Sequence, residues 1–86
     1  MAKTKIESIV PLMDALINDV TIPKNIRKSV NDAKEKILSN VPAVEKATGA
    51  IYKLDEVSED INMPMHARTQ IWQLLSALES VKEEDG

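Results

Sequence analysis

His66 is the only histidine in the chain, and it stands in a stretch crowded with groups that move protons or hold ions. Asp55, Glu56, Glu59 and Asp60 precede it, and Arg68 follows two positions on. A histidine side chain titrates at about pH 6.5, which makes His66 a candidate general base or pH-sensitive group. The carboxylates raise the idea of a divalent cation. Each reading meets an obstacle. Ser-His-acid chemistry needs a nucleophile oriented beside the imidazole, and nothing in the sequence marks one. Di-metal sites in helical bundles draw Glu-x-x-His pairs from separate helices, and the chain has none. It also has no Cys, which removes disulfides, thiolate ligands and a cysteine nucleophile together. No catalytic residue, metal, cofactor or small-molecule substrate is therefore assigned, and an enzyme is the least favoured reading.

The same stretch has an echo. Asp60-Ile61-Asn62-Met63-Pro64-Met65-His66-Ala67-Arg68 repeats Asp19-Val20-Thr21-Ile22-Pro23-Lys24-Asn25-Ile26-Arg27, with each matching residue 41 positions away. Asp, Pro and Arg recur unchanged, whereas His66 answers Asn25. What is kept is what a tight corner between two helices needs. Asp19 and Asp60 are expected to accept hydrogen bonds from Arg27 and Arg68 or from the amides of the following first turn. Pro23 and Pro64 are expected in the first turn of the following helix, where a missing N–H costs nothing. On this basis Asp19, Pro23, Arg27, Asp60, Pro64 and Arg68 are structural corner residues.

These corners join four aliphatic stripes at helical spacing. Thr4 and Glu7 form a capping box ahead of Ile6, Ile9, Val10, Met13, Leu16, Ile17 and Val20, with Pro11 expected to kink that helix or mark its start. Ile26, Val30, Ala33 and Ile37 make the second stripe. Val44, Ala47, Ala50, Ile51, Leu54, Val57 and Ile61 make the third, with Gly49 expected to let another helix approach closely. Ala67, Ile71, Leu74, Leu75, Leu78 and Val81 make the fourth. Thr21-Ile22-Pro23, Asn40-Val41-Pro42 and Asn62-Met63-Pro64 read as three helix starts with a capping residue ahead of proline. The spacing predicts helices over roughly 4–19, 22–39, 41–59 and 63–82 in one domain of residues 1–86, ending in a frayed acidic tail at 83–86.

No strand-like alternation appears. Helices joined by connections of a few residues lie antiparallel, so the expected fold is an all-α, four-helix up-and-down bundle made of two similar helix hairpins. The alternative is an open stack of two HEAT-like helical repeats, which usually needs three or more copies for stability.

Read in full, "SEDINMPMHARTQIW", with "NDVTIPKNIRKSVNDAKEKIL" upstream, resembles a small archaeal family known as uncharacterised protein family 0147. The similarity extends over nearly the whole chain. The resemblance implies a four-helix bundle of the bromodomain-like up-and-down type and an archaeal, cytoplasmic source. It implies no activity and carries over no functional residues.

Composition bounds the partners. The chain is 43% hydrophobic and 29% charged, with a net charge of −3, so nothing attracts nucleic acid or anionic lipid globally. No apolar run is long enough to span a membrane, and a soluble cytosolic protein is expected. Lys24, Arg27, Lys28, Lys34 and Lys36 form a candidate basic face on the second helix for RNA or a ribonucleoprotein, without the aromatic residues that stack bases. Leu12, Leu38, Tyr52, Met65 and Trp72 lie at stripe edges or beyond them. They either complete the core boundary or form a candidate interaction surface for another protein or a second copy. So small a core leaves a thin stability margin, which favours association. The leading expectation is a non-enzymatic interaction or assembly module, with an RNA accessory factor as the alternative.

Overall fold

Four helices follow the four stripes: α1 (Lys5–Ile17), α2 (Lys24–Leu38), α3 (Ala43–Asp55) and α4 (Met65–Asp85). The computed structural model describes the backbone of residues 5–85 and the side chains of residues 8–83. The capping box read at Thr4 and Glu7, and the place of Ile6 in its stripe, fall outside that description. Helix α1 runs through Pro11 instead of starting near it. Pro11 is exposed, so the gap it makes in the backbone ladder falls on the solvent side. Helix α4 continues to Asp85, three residues past the expected end at 82 and four past its last buried residue, Val81.

Proline stands one step earlier than expected. Pro23 and Pro42 are the last non-helical residues before α2 and α3, with φ near −55° and extended ψ of 147° and 152°. Their carbonyls accept the first helical bonds, Arg27 N–H to Pro23 O and Lys46 N–H to Pro42 O, both 3.0 Å. Arg68 N–H makes the same bond to Pro64 O. The ring fixes φ and brings no N–H, which suits a position whose own amide has no helical partner. No side chain caps α2 or α3 from these positions.

Each helix buries one line of aliphatic residues. Met13, Ile26, Val30, Ala33, Ala47, Ala50, Leu54, Ala67, Ile71, Leu74 and Leu78 are fully shielded. Among the described residues α1 packs on α2 and α4, and α3 packs on α2 and α4, with no contact across either diagonal. That closed ring is an up-and-down bundle. It rules out an open two-repeat stack, in which α1 would lie on α3 and α2 on α4. The two hairpins, α1–α2 and α3–α4, are related by a pseudo-twofold axis along the bundle, and both corners fall at the same end.

Val44 of the third stripe is half-buried and outside the core, and two other expected core residues are fully turned to solvent. Val20 and Ile61, placed at the ends of the first and third stripes, are 83% and 90% exposed. Helix α1 ends at Ile17 and α3 at Asp55, so helical periodicity no longer governs either position. Along each extended corner the neighbour two residues on points inward instead, and Ile22 and Met63 close the end of the core.

Candidate functional site: the paired corners

Asp19 and Asp60 build the two corners in the same way. Asp19 Oδ1 accepts the Thr21 amide at 2.9 Å, and Asp60 Oδ1 accepts the Asn62 amide at 2.8 Å. Behind them the Asp19 and Asp60 carbonyls accept the Ile22 and Met63 amides, each at 3.1 Å. An aspartate that bonds an amide two residues ahead fixes a tight reversal locally. The second carboxylate oxygen of each then reaches across to the other corner. Asp60 Oδ2 accepts Asn25 Nδ2 at 3.1 Å, and Asp19 Oδ2 lies 2.8 Å from His66 Nε2. Asn25 and His66 are equivalent positions of the repeat. The lone histidine thus takes the place in one cross-corner bond that an amide takes in the other.

The arginines do something different from the expected Asp pairing. Arg27 Nε donates to the Ile22 carbonyl at 2.9 Å. Arg68 donates to the carbonyls of Ser58 and Asp60 at 3.3 and 3.2 Å, through its two terminal nitrogens. A guanidinium with donors in a rigid fork suits loop carbonyls that no helix satisfies. It also places a positive charge beside the acid-rich end of α3, where the helix dipole is unfavourable to carboxylates.

His66, Asp19 and Thr21 are close together, yet they are not a catalytic triad. The Thr21 hydroxyl donates to Asp19 Oδ1 at 2.6 Å, while it stands 3.5 Å from His66 Nε2. Three bonds, from the Thr21 hydroxyl, from His66 and from the Thr21 amide, hold the Asp19 carboxyl down at about 2, against an ordinary 3.8. An ionised carboxylate only accepts, so the proton of the His66 bond sits on Nε2. The nitrogen facing Thr21 therefore has no lone pair with which to take its proton. Asp55, Glu56 and Glu59 are exposed, and no group of three or more potential ligands is arranged to hold a metal ion among the described residues.

The five cations of α2 do not share one face. Lys34 Nζ reaches Asp14 of α1 at 2.5 Å. Lys36 lies on the opposite flank, its stem crossing Gly49 of α3 so closely that a Cβ there would collide with Cγ and Cε. Gly49 thus admits a side chain where the sequence pointed to a close helix. Arg27 is half-buried and committed to Ile22, and Lys28 pairs with Asp32 at 3.3 Å. Lys24 is exposed at the first position of α2.

All five residues of the candidate apolar surface, Leu12, Leu38, Tyr52, Met65 and Trp72, are exposed, but they sit on four helices. Met65 and Trp72 alone share a line, seven residues or about two turns apart on α4. Sequence reasoning missed the pair that completes the corner end, Val20 and Ile61. Their signal was the repeat itself, since both follow the turn-forming Asp. With Met65, 78% exposed, they leave three apolar side chains around the polar cross-corner bonds. No helix among the described residues is long and apolar enough to cross a membrane.

Residues 1–81 match the model of the uncharacterised protein family UPF0147. The UPF0147 protein of Methanocaldococcus jannaschii is 48% identical over 90% of this chain and 84% of its own length. The UPF0147 protein of Archaeoglobus fulgidus is 39% identical over 98% and 97%. A crystal structure of the unknown-function protein MMP1188 superposes with a TM-score of 0.86 at 36% identity, covering 92% of this chain and 97% of that one.

Proposed function

This chain belongs to the uncharacterised protein family UPF0147, and we propose that it serves as a cytoplasmic, non-enzymatic protein-interaction or assembly module that docks through its paired-corner end. The supporting observation is the exposure of Val20, Ile61 and Met65 on one end of the bundle. The turns that carry Val20 and Ile61, and the start of α4 that carries Met65, are pinned by Asp19 and Asp60 and by bonds between the corners. Apolar side chains on a pre-ordered surface lose little conformational entropy on binding, which is how a small interface gains affinity. The alternative, an RNA or ribonucleoprotein contact through α2, has less support, because Arg27, Lys28 and Lys34 are already partnered within the chain.

The test is to immobilise the wild-type chain and the Ile61→Ser/Met65→Ser variant and expose both to archaeal extract, with and without nuclease. The expected result is a nuclease-resistant protein, or the chain itself, retained by the wild type and lost from the variant. Recovery that nuclease abolishes would replace this reading with the RNA one. Identical recovery on both surfaces would move the docking site elsewhere.

A further inference from the structure

The two corners share a backbone design but differ in charge. Where the first has Ala15, Asn18, Lys24 and Lys28, the second has Glu56, Glu59, Met65 and Thr69 at the equivalent positions. Val20 thus shares its corner with the exposed Lys24 and Lys28, four and eight residues on, and Ile61 and Met65 share theirs with the exposed Glu56 and Glu59. Lys24, Glu56 and Glu59 have no ion-pair partner among the described residues. One end of the bundle thus presents Val20 with the unpaired Lys24 on one half, where the Asp19 carboxylate is already bonded to Thr21 and His66, and Ile61 and Met65 with the unpaired Glu56 and Glu59 on the other, related by the pseudo-twofold axis.

We infer that the partner of this end is a second copy of the chain, stacked end to end so that the first corner of each protomer faces the second corner of the other. The inference rests on the docking reading above and names its occupant. A dyad perpendicular to the bundle axis has two principal settings. In one, like corners meet, which sets Lys24 against Lys24 and Glu59 against Glu59. In the other, unlike corners meet, which sets Lys24 against the glutamates and Val20 against Ile61 and Met65 in two equal contacts. Charge complementarity suppresses the first register and selects the second. The contact is isologous, so it closes at two copies. Its size follows from the bundle's extents of 35 × 24 × 20 Å, since only the two shorter dimensions face the partner. That is near the low end of specific interfaces, so the dimer is weak, dependent on concentration and sensitive to salt.

Sedimentation equilibrium of the full chain, from roughly 10 μM to 1 mM at low and high salt, reads this directly. The expected result is a monomer–dimer equilibrium weakened several-fold by salt. Lys24→Glu and Glu59→Lys each weaken it by about tenfold or more, and the double variant Lys24→Glu/Glu59→Lys recovers to within about threefold of wild type, because the swap restores opposite charges. Both substitutions are at exposed positions, and circular dichroism verifies the helices of all three variants. A chain that stays monomeric throughout overturns the inference, as does a dimer whose affinity ignores both single substitutions, or a double variant no better than either. Capture from extract separates this failure from that of the docking reading. A monomer that still retains a protein through Ile61 and Met65 leaves docking standing with a different occupant, and a monomer that retains nothing removes both.

Discussion

His66 Nε2 lies 2.8 Å from Asp19 Oδ2, and this bond joins residues 47 positions apart. Its counterpart is Asn25 Nδ2 to Asp60 Oδ2 at 3.1 Å. The pair of bonds ties the α1–α2 corner to the α3–α4 corner in both directions. The histidine's role follows from that symmetry: it supplies an N–H donor where the other hairpin uses an amide. His66→Asn is then a conservative change, since it copies Asn25, and it should leave the melting temperature close to wild type. His66→Ala should lower it by a few degrees, and Asn25→Ala should do so comparably. A histidine-specific role would show instead as His66→Asn behaving like His66→Ala in calorimetry.

Asp19 makes stability depend on acid. Its carboxyl is held at about 2 when folded, against an ordinary 3.8, chiefly by the Thr21 hydroxyl and then by His66 and the Thr21 amide. A depressed folded value means the native state binds fewer protons, so the contribution is fully present above about pH 4 and fades as the pH falls toward 2. Urea unfolding from pH 5 to 2 should show wild type losing stability across this window more steeply than Asp19→Asn. Parallel curves for the two proteins would assign the acid sensitivity to other carboxylates.

Asp60 carries its corner through the Asn62 amide and the Asn25 amide group. Asp60→Ala removes both acceptors and should destabilise the chain by about 0.5–1.5 kcal/mol. An unchanged melting curve would remove the aspartate from its corner role.

Arg68 holds two loop carbonyls, those of Ser58 and Asp60. Removing it with Arg68→Ala leaves both half-shielded acceptors to find water, at a cost of about 1–2 kcal/mol. Arg68→Lys brings a single ammonium in place of the fork and should recover only part of the loss. Full rescue by lysine in thermal unfolding would mean that charge beside the α3 terminus, and not the geometry of the two bonds, is what matters.

Gly49 is in the middle of α3, where glycine is worth about 1 kcal/mol less than alanine. The three atoms nearest a Cβ there all belong to the stem of Lys36, an exposed and flexible side chain that can swing into solvent. Gly49→Ala should therefore be neutral to stabilising, by up to about 1 kcal/mol. A clear loss of stability in denaturant titration would mean that Lys36 is held in place over α3.

Helix placement was legible because it depends on local chemistry. Aliphatic residues at three-and-four spacing have one way to leave water together, and Pro23, Pro42 and Pro64 each stand just ahead of a helix, although Pro11 is carried inside α1. Ile26, Val30, Ala33 and Ile37 on α2, and Ala67, Ile71, Leu74, Leu78 and Val81 on α4, are buried as their spacing indicated. The repeat of Asp, Pro and Arg also identified both corners, since an aspartate can fix a turn with the amide two residues ahead whatever lies around it.

Only the tertiary structure decided what those corners face. Periodicity stops where α1 and α3 stop, so the sequence could not show that Val20 and Ile61 point outward while Ile22 and Met63 plug the core. Five cations on one helix read as a single face until packing set Lys34 against Asp14 of α1 and Lys36 across Gly49 of α3. The partner of His66 was hidden for the same reason. A hydrogen bond between residues 19 and 66 exists only because the helices close in a ring that brings both corners to one end, and ring order is a property of how four stripes pack, not of any one of them.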